Sequence, residues 1–350
     1  MKTKIIKTIK IRRPDDLHVH FRDNDILKLV VPYTSRFFGR AIVMPNIEPP
    51  VININQAISY QKKICNAVPV EHKFMPLMTC YLTDNTNPKV VEEGFNCGVF
   101  IACKLYLANG TTNSKYGVSK ISNIYTVFEK MEKLGIPLLV HGEVTNSKID
   151  IFDREAYFID LVMNPIRKKF PNLKIVFEHI STKEAVQYIL SCKENLVATI
   201  TPHHLLFNRN NMLSGSIKPH LYCSPILKSD IHQKALREAI TMDCQLFFLG
   251  TDTAPHVQNN KESSRGCAGI FNAPTALAAY ATVFDEMNAI ENFEAFCSLN
   301  GAKFYGLPIN EGFIELKRKK VFINEKISHN KINLIPFLAN EFVDWEVNVV

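Results

Sequence analysis

The chain has 350 residues, 46% of them hydrophobic, with 41 basic and 34 acidic side chains and a formal net charge of +7. That is enough chain for one large domain or two medium ones. No run of about 18 apolar residues occurs, so no membrane span is predicted, and no aromatic residues interleave with a basic stripe, so nucleic-acid binding is not predicted.

Much of the positive charge sits in Met1–Arg13 and in Lys317-Arg318-Lys319-Lys320. Either run could form an anion-binding patch, but a solvated surface is the preferred reading. The nine cysteines are scattered without a Cys-x-x-Cys pair. They read as reduced thiols, neither a disulfide framework nor a Zn-Cys site, which points to the cytoplasm. The basic N-terminus lacks an apolar segment followed by a small-residue cleavage site, so no leader is expected.

Short apolar runs alternate with longer amphipathic ones. The predicted strands are Asp16–His20, Arg40–Met44, Phe74–Cys80, Val99–Tyr106, Pro137–His141, Lys174–His179, Val197–Thr201 and Gln245–Thr251. The predicted helices between them are Gln56–Asn66, Val90–Asn96, Ile121–Leu134, Phe152–Lys169, Lys183–Cys192 and Ile231–Thr241. Eight strands alternating with helices predict an α/β fold, a (β/α)8 TIM barrel, with the active site at the C-terminal ends of the strands. Pro274–Asn288 and Asn292–Leu299 are expected to be helical, and Pro308–Val350 a small appendage with a few strands. With no repeat and no clear linker, residues 1–350 are read as one domain.

The unusual polar residues fall where a barrel would place its chemistry. His18 and His20 lie two apart on a strand, so they project from one face and make half of a divalent-metal site. Arg22 adds a fork that a carboxylate can dock against. Asn46 follows the second strand. Lys104 lies within an otherwise apolar run, Gly98–Leu107. Its side chain either snorkels or pairs with an acid, or it loses its proton by desolvation and captures carbon dioxide. The resulting carbamate could bridge two cations about 3.5–4 Å apart. His141 and His179 end the fifth and sixth strands, and Glu143 and Glu178 beside them are read as supporting or surface acids. Asp252 follows the eighth strand, where it could bind one metal and exchange a proton with a bridging hydroxide. His256 would stand nearby, free to contact substrate. The pair His203-His204 is read as structural or supporting.

Together His18-Val19-His20-Phe21-Arg22, Met44-Pro45-Asn46, Lys104, His141-Gly142-Glu143, Glu178-His179 and Gly250–His256 resemble the amidohydrolase superfamily. More narrowly, the chain is similar to the bacterial single-function (class II) dihydroorotases, over nearly its whole length. The resemblance implies reversible cyclisation of N-carbamoyl-L-aspartate to (S)-dihydroorotate in de novo pyrimidine (UMP) synthesis, by a cytoplasmic homodimer. It implies two Zn2+ per subunit. His18, His20 and Asp252 would hold one and His141 and His179 the other, bridged by hydroxide and by Lys104 as N6-carboxylysine. In the hydrolytic direction the bridging hydroxide would attack the ring carbonyl, with Asp252 as general base and acid. Arg22, Asn46 and His256 would bind the substrate carboxylate, Thr111 and Thr112 would close over it, and Ser224 and Ala268 would touch the ring through backbone groups.

Four positions depart from the pattern: Ser224 for an aliphatic residue, Gly110 for Ala, Leu107 for Pro, and Arg265 for Cys. None removes a catalytic group. Other cyclic-amide hydrolases, such as hydantoinases or dihydropyrimidinases, fit less well, because Arg22, Asn46 and His256 favour a substrate with a carboxylate. A catalytically dead relative would have lost metal ligands, and all six candidates are present.

Overall fold

A computed structural model describes residues 6–192 and 194–350. Met1–Ile5, part of the basic N-terminal stretch, lies outside the described residues. The strands are β1 (Thr8–Arg12), β2 (Asp15–Val19), β3 (Arg40–Val43), β4 (Met75–Tyr81), β5 (Phe100–Leu105), β6 (Leu138–His141), β7 (Ile175–Glu178), β8 (Leu196–Ile200), β9 (Phe247–Leu249), β10 (Phe313–Phe322), β11 (Ile327–His329), β12 (Ile332–Leu334) and β13 (Phe342–Val349). Strands β2 to β9 form one eight-stranded sheet in sequence order, every pairing parallel. The sheet curls until Val19 bridges Thr253, and the His18 carbonyl accepts the Asp252 amide at 2.9 Å. This is the (β/α)8 barrel that the strand and helix count predicts.

The barrel strands read as continuous apolar runs because both of their faces are covered. Alternate residues such as Leu17, Ile42, Ala102, Leu139, Val176 and Phe248 pack together inside the barrel. Their neighbours Val19, Val43, Cys103, Val140 and Phe177 belong to the larger core beneath the helices. Those helices begin where the sequence supplies a cap: Asn53 accepts the Gln56 amide at the start of Ile54–Ala67, and Thr182 does the same for Ala185 ahead of Lys183–Ser191.

Besides the short helices Pro202–Leu206, Arg209–Leu213 and Gln258–Lys261, two further elements escape the sequence reading. Strand β1 alternates exposed and buried residues, with Ile9 and Ile11 inward. It pairs with β10, not with the barrel, and β10 pairs in turn with β13. The helix Asn24–Phe37 contains Pro32, which masks its periodicity, but Asp23 caps it and Leu27, Val30 and Val31 face the core. The expected strand Gln245–Thr251 shrinks to Phe247–Leu249, because the Thr251 amide bonds to the Asp16 carboxylate. The Pro308–Val350 appendage does contain strands, β10 to β13. The basic run on β10 is solvated and ion-paired: Lys317 with Glu315, Arg318 with Asp285 and Lys319 with Glu346.

Candidate metal centre and active site

The C-terminal ends of the barrel strands gather the residues singled out in the sequence. His18 on β2 and His20 just beyond it bring their Nε2 atoms to 3.3 Å. Asp252, three residues past β9, places Oδ1 3.1 Å from His20 Nε2 and 3.4 Å from His18 Nε2. All three side chains are buried, and their ligand atoms lie close enough to share one cation. The second pair, His141 at the end of β6 and His179 just after β7, approaches to 3.3 Å between Nδ1 and Nε2.

The ring orientations have named causes. His18 donates from Nδ1 to Glu178 at 2.9 Å, which leaves Nε2 with a lone pair facing the cluster. Glu178 is held in turn by the Thr199 hydroxyl at 2.6 Å. His141 donates from Nε2 to Glu143 at 3.0 Å, freeing Nδ1. Glu143 and Glu178 are thus buried partners of the histidines, and the surface alternative is excluded. Beneath them Asp16 accepts from the Thr251 amide and hydroxyl. Burial raises its pKa to about 7. Sequence reasoning gave Asp16 and Thr199 no role, and nothing in their local pattern distinguishes them.

Lys104 is fully buried on β5, and its Nζ has no hydrogen-bond partner. Burial lowers its pKa to about 8, against the opposing pull of Glu178 and Asp252. Burial also holds His20 and His179 well below the ordinary histidine value. Neutral imidazoles, a buried carboxylate and an orphaned amine form a donor set that suits a divalent metal once the amine has lost its proton. The residues present therefore fit a metal group.

Three of these positions use left-handed backbone: Arg22 (φ 59°), His179 (φ 41°) and Asp252 (φ 48°). Such conformations are costly for a side-chain-bearing residue and cluster at functional sites. Gly142, beside His141, meets a packing demand: a Cβ there would overlap the Phe177 ring.

The same cavity holds the other predicted substrate-side residues except His256, which adjoins it through Arg22. It is lined by Arg22, Asn46, Thr111, Thr112, Ser224 and Ala268 together with the histidines and Asp252. Arg22 donates from Nε to the Pro255 carbonyl, and its Nη2 lies 3.0 Å from His256 Nε2. His256 Nε2 is also 3.0 Å from the Ala268 carbonyl, and burial lowers its pKa to about 3. Asn46 donates to the Thr112 carbonyl at 3.0 Å, so the loop tip lies against the cavity. At Ser224, the departure from an aliphatic residue, the hydroxyl donates to Glu143 at 2.9 Å, so the side chain is engaged within the protein. A serine hydroxyl can reach a carboxylate that an aliphatic side chain could not bond. Tyr106 also lines the cavity and was missed. Its signal was available, since it follows Lys104 by two residues and so shares its face.

His203, His204 and Cys223 form a second buried group. His204 spends Nδ1 on Thr201 and Nε2 on the Pro225 carbonyl, and His203 Nδ1 lies 3.1 Å from Asn272, which favours the structural reading.

Comparison with known proteins agrees with this geometry. The chain is 63% identical over 342 residues to a dihydroorotase of Photorhabdus laumondii, covering 98% of each chain. Its fold superposes on a dihydroorotase of Campylobacter jejuni with a TM-score of 0.90, 34% identity and 99% coverage of both. It superposes on a Saccharomyces cerevisiae dihydroorotase in complex with 5-fluoroorotic acid with a TM-score of 0.91, 30% identity, and coverage of 98% and 99%. The profile of the amidohydrolase family matches residues 11–323, from β1 through β10, and so spans every barrel strand. The chain belongs to the amidohydrolase family.

Proposed function

We propose that the chain is a zinc-dependent dihydroorotase, interconverting N-carbamoyl-L-aspartate and (S)-dihydroorotate plus water in pyrimidine synthesis. The observation that carries this reading is the union, in one cavity, of the His18, His20 and Asp252 cluster with the Arg22 fork set against His256. Such a cavity suits a cyclic amide bearing a carboxylate better than a neutral ring. Relatives 60–63% identical along almost the whole chain bear the name dihydroorotase, which supports the same reading.

His18, His20 and Asp252 would hold one zinc, and His141 and His179 the other. Lys104 would join them after its free amine adds to carbon dioxide and releases a proton, giving a carbamate. Zinc held by these residues would supply Lewis-acid chemistry, lowering the pKa of a water toward about 7 and polarising the amide carbonyl. In hydrolysis Asp252 accepts the proton of the attacking water and delivers it to the leaving ring nitrogen. In cyclisation it takes the proton from the ureido nitrogen. Arg22, Asn46 and His256 bind and orient the carboxylate, Thr111 and Thr112 exclude water, and the backbone at Ser224 and Ala268 positions the ring. We assign this activity to the whole chain, acting as a cytoplasmic homodimer; light scattering at twice 39.8 kDa is the expected result for the dimer.

The test is hydrolysis of dihydroorotate by the purified protein before and after chelation, and again after zinc is added back. Activity that vanishes and returns is expected. A zinc-loaded protein that leaves dihydroorotate intact rejects the substrate, and a panel of other cyclic amides then follows.

A further inference from the structure

Buried tyrosine hydroxyls are expected to find a partner. Three in this chain do so on backbone carbonyls: Tyr60 on Arg22, Tyr81 on Asn113 and Tyr280 on Ile200. Tyr106 differs. It is 2% exposed, its hydroxyl has no hydrogen-bond partner, and its side chain lines the candidate catalytic cavity. Tyr305 also lacks a partner, but it packs with Phe248 and Phe304 inside the barrel, away from that cavity.

The ring of Tyr106 has sufficient packing without the hydroxyl. It lies 5.4 Å from the Tyr81 ring and 6.1 Å from the His141 ring, with Lys104 Nζ 5.1 Å from its centroid. A phenylalanine would satisfy those contacts equally, so packing leaves the oxygen unexplained. Its backbone is fixed too: the Tyr106 carbonyl accepts the Val118 amide at 2.8 Å, which anchors the base of the loop carrying Thr111 and Thr112. Tyr106, one residue past β5, therefore brings an unpartnered hydroxyl to a cavity that Arg22, Asn46 and Asp252 also line.

We propose that Tyr106 is a substrate-positioning residue whose hydroxyl donates a hydrogen bond to an oxygen of the bound cyclic ureide. The proposal rests on the dihydroorotase reading. The carboxylate already has Arg22, Asn46 and His256, so Tyr106 serves a ring oxygen. It adds selectivity for rings with an acceptor at that place, because an orphaned donor penalises any ligand without one.

The experiment compares the zinc-loaded wild-type protein with Tyr106→Phe. Wild-type turnover of dihydroorotate is measured first, since its absence would reject the dihydroorotase reading and not the role of Tyr106. Loss of one neutral hydrogen bond in the ground state is expected to raise KM for dihydroorotate about tenfold while kcat stays within about twofold. Affinity for 5-fluoroorotate, read by calorimetry, is expected to fall by a similar factor, with metal content and thermal midpoint unchanged. Unchanged KM and 5-fluoroorotate affinity would overturn the proposal. Loss of zinc, or of the carbamate carbon signal in 13C NMR, would also overturn it, by showing that the hydroxyl serves Lys104.

Discussion

Asp252 holds its carboxylate on left-handed backbone (φ 48°), where Oδ1 meets His18 and His20. Replacement by Asn keeps the shape and removes the proton acceptor. Asp252→Asn is expected to lower turnover at least about 10³-fold with the fold intact by circular dichroism; wild-type-like kinetics would remove Asp252 as the proton carrier. Lys104→Ala is expected to lose metal, by elemental analysis, and to regain part of its activity with short carboxylic acids. A fully metallated, active variant would reject the carbamate. His204 carries a pH prediction. Burial depresses its pKa to about 4, so the folded state keeps it neutral while the unfolded chain takes up a proton below about 6.5. Stability is therefore complete above about 6.5 and falls as the pH drops toward 4, by on the order of 2 kcal/mol at pH 5. Asp16 opposes this, since its raised pKa stabilises the fold at low pH and that contribution fades as the pH rises toward 7. Urea melts of wild type and His204→Gln at pH 7 and pH 5 measure the difference, and the variant is expected to show the shallower slope. The shared face of His18 and His20 was readable because strand periodicity fixes which side chains project together. The role of Asp16 was not, because its partner Thr251 lies 235 residues away in sequence.

Elements position these groups by close approach. Strand β6 ends at His141, and Gly142 just past it lets the chain pass over Phe177 on β7 toward Glu143. Gly142→Ala is expected to destabilise the fold by about 1–3 kcal/mol through overpacking. It should also weaken metal binding, because His141 and Glu143 would be pushed out of register; denaturant titration and metal affinity check the two effects separately. The barrel strands were legible as apolar runs at regular spacing, as were most of the helices between them. The helix Asn24–Phe37 was not, because Pro32 and polar residues interrupt its stripe. The end of β9 was misplaced for a different reason: Thr251 leaves the ladder to bond with Asp16, a tertiary contact that overrides local β propensity.

At the scale of the whole molecule, a buried cluster of neutral imidazoles and an orphaned lysine is at its most stable with metal bound. Binding to the folded state alone raises stability by about 4 kcal/mol at free metal 1,000 times the dissociation constant. Chelation is therefore expected to lower the thermal midpoint by several degrees, and zinc to restore it, in a calorimetric scan. The appendage was legible only as irregular, because the partners of its strands lie elsewhere: β10 pairs with β1, placing Thr8 opposite Lys317 and Ile11 opposite Ile314. That seam bears on how the protein is made. When β1 leaves the ribosome its partner is roughly three hundred residues from being synthesised, so Ile9 and Ile11 wait uncovered while the barrel is assembled behind them. The first strand can close only once β10 has been made, and a product truncated before β10 would keep an open, apolar edge available to chaperones and proteases.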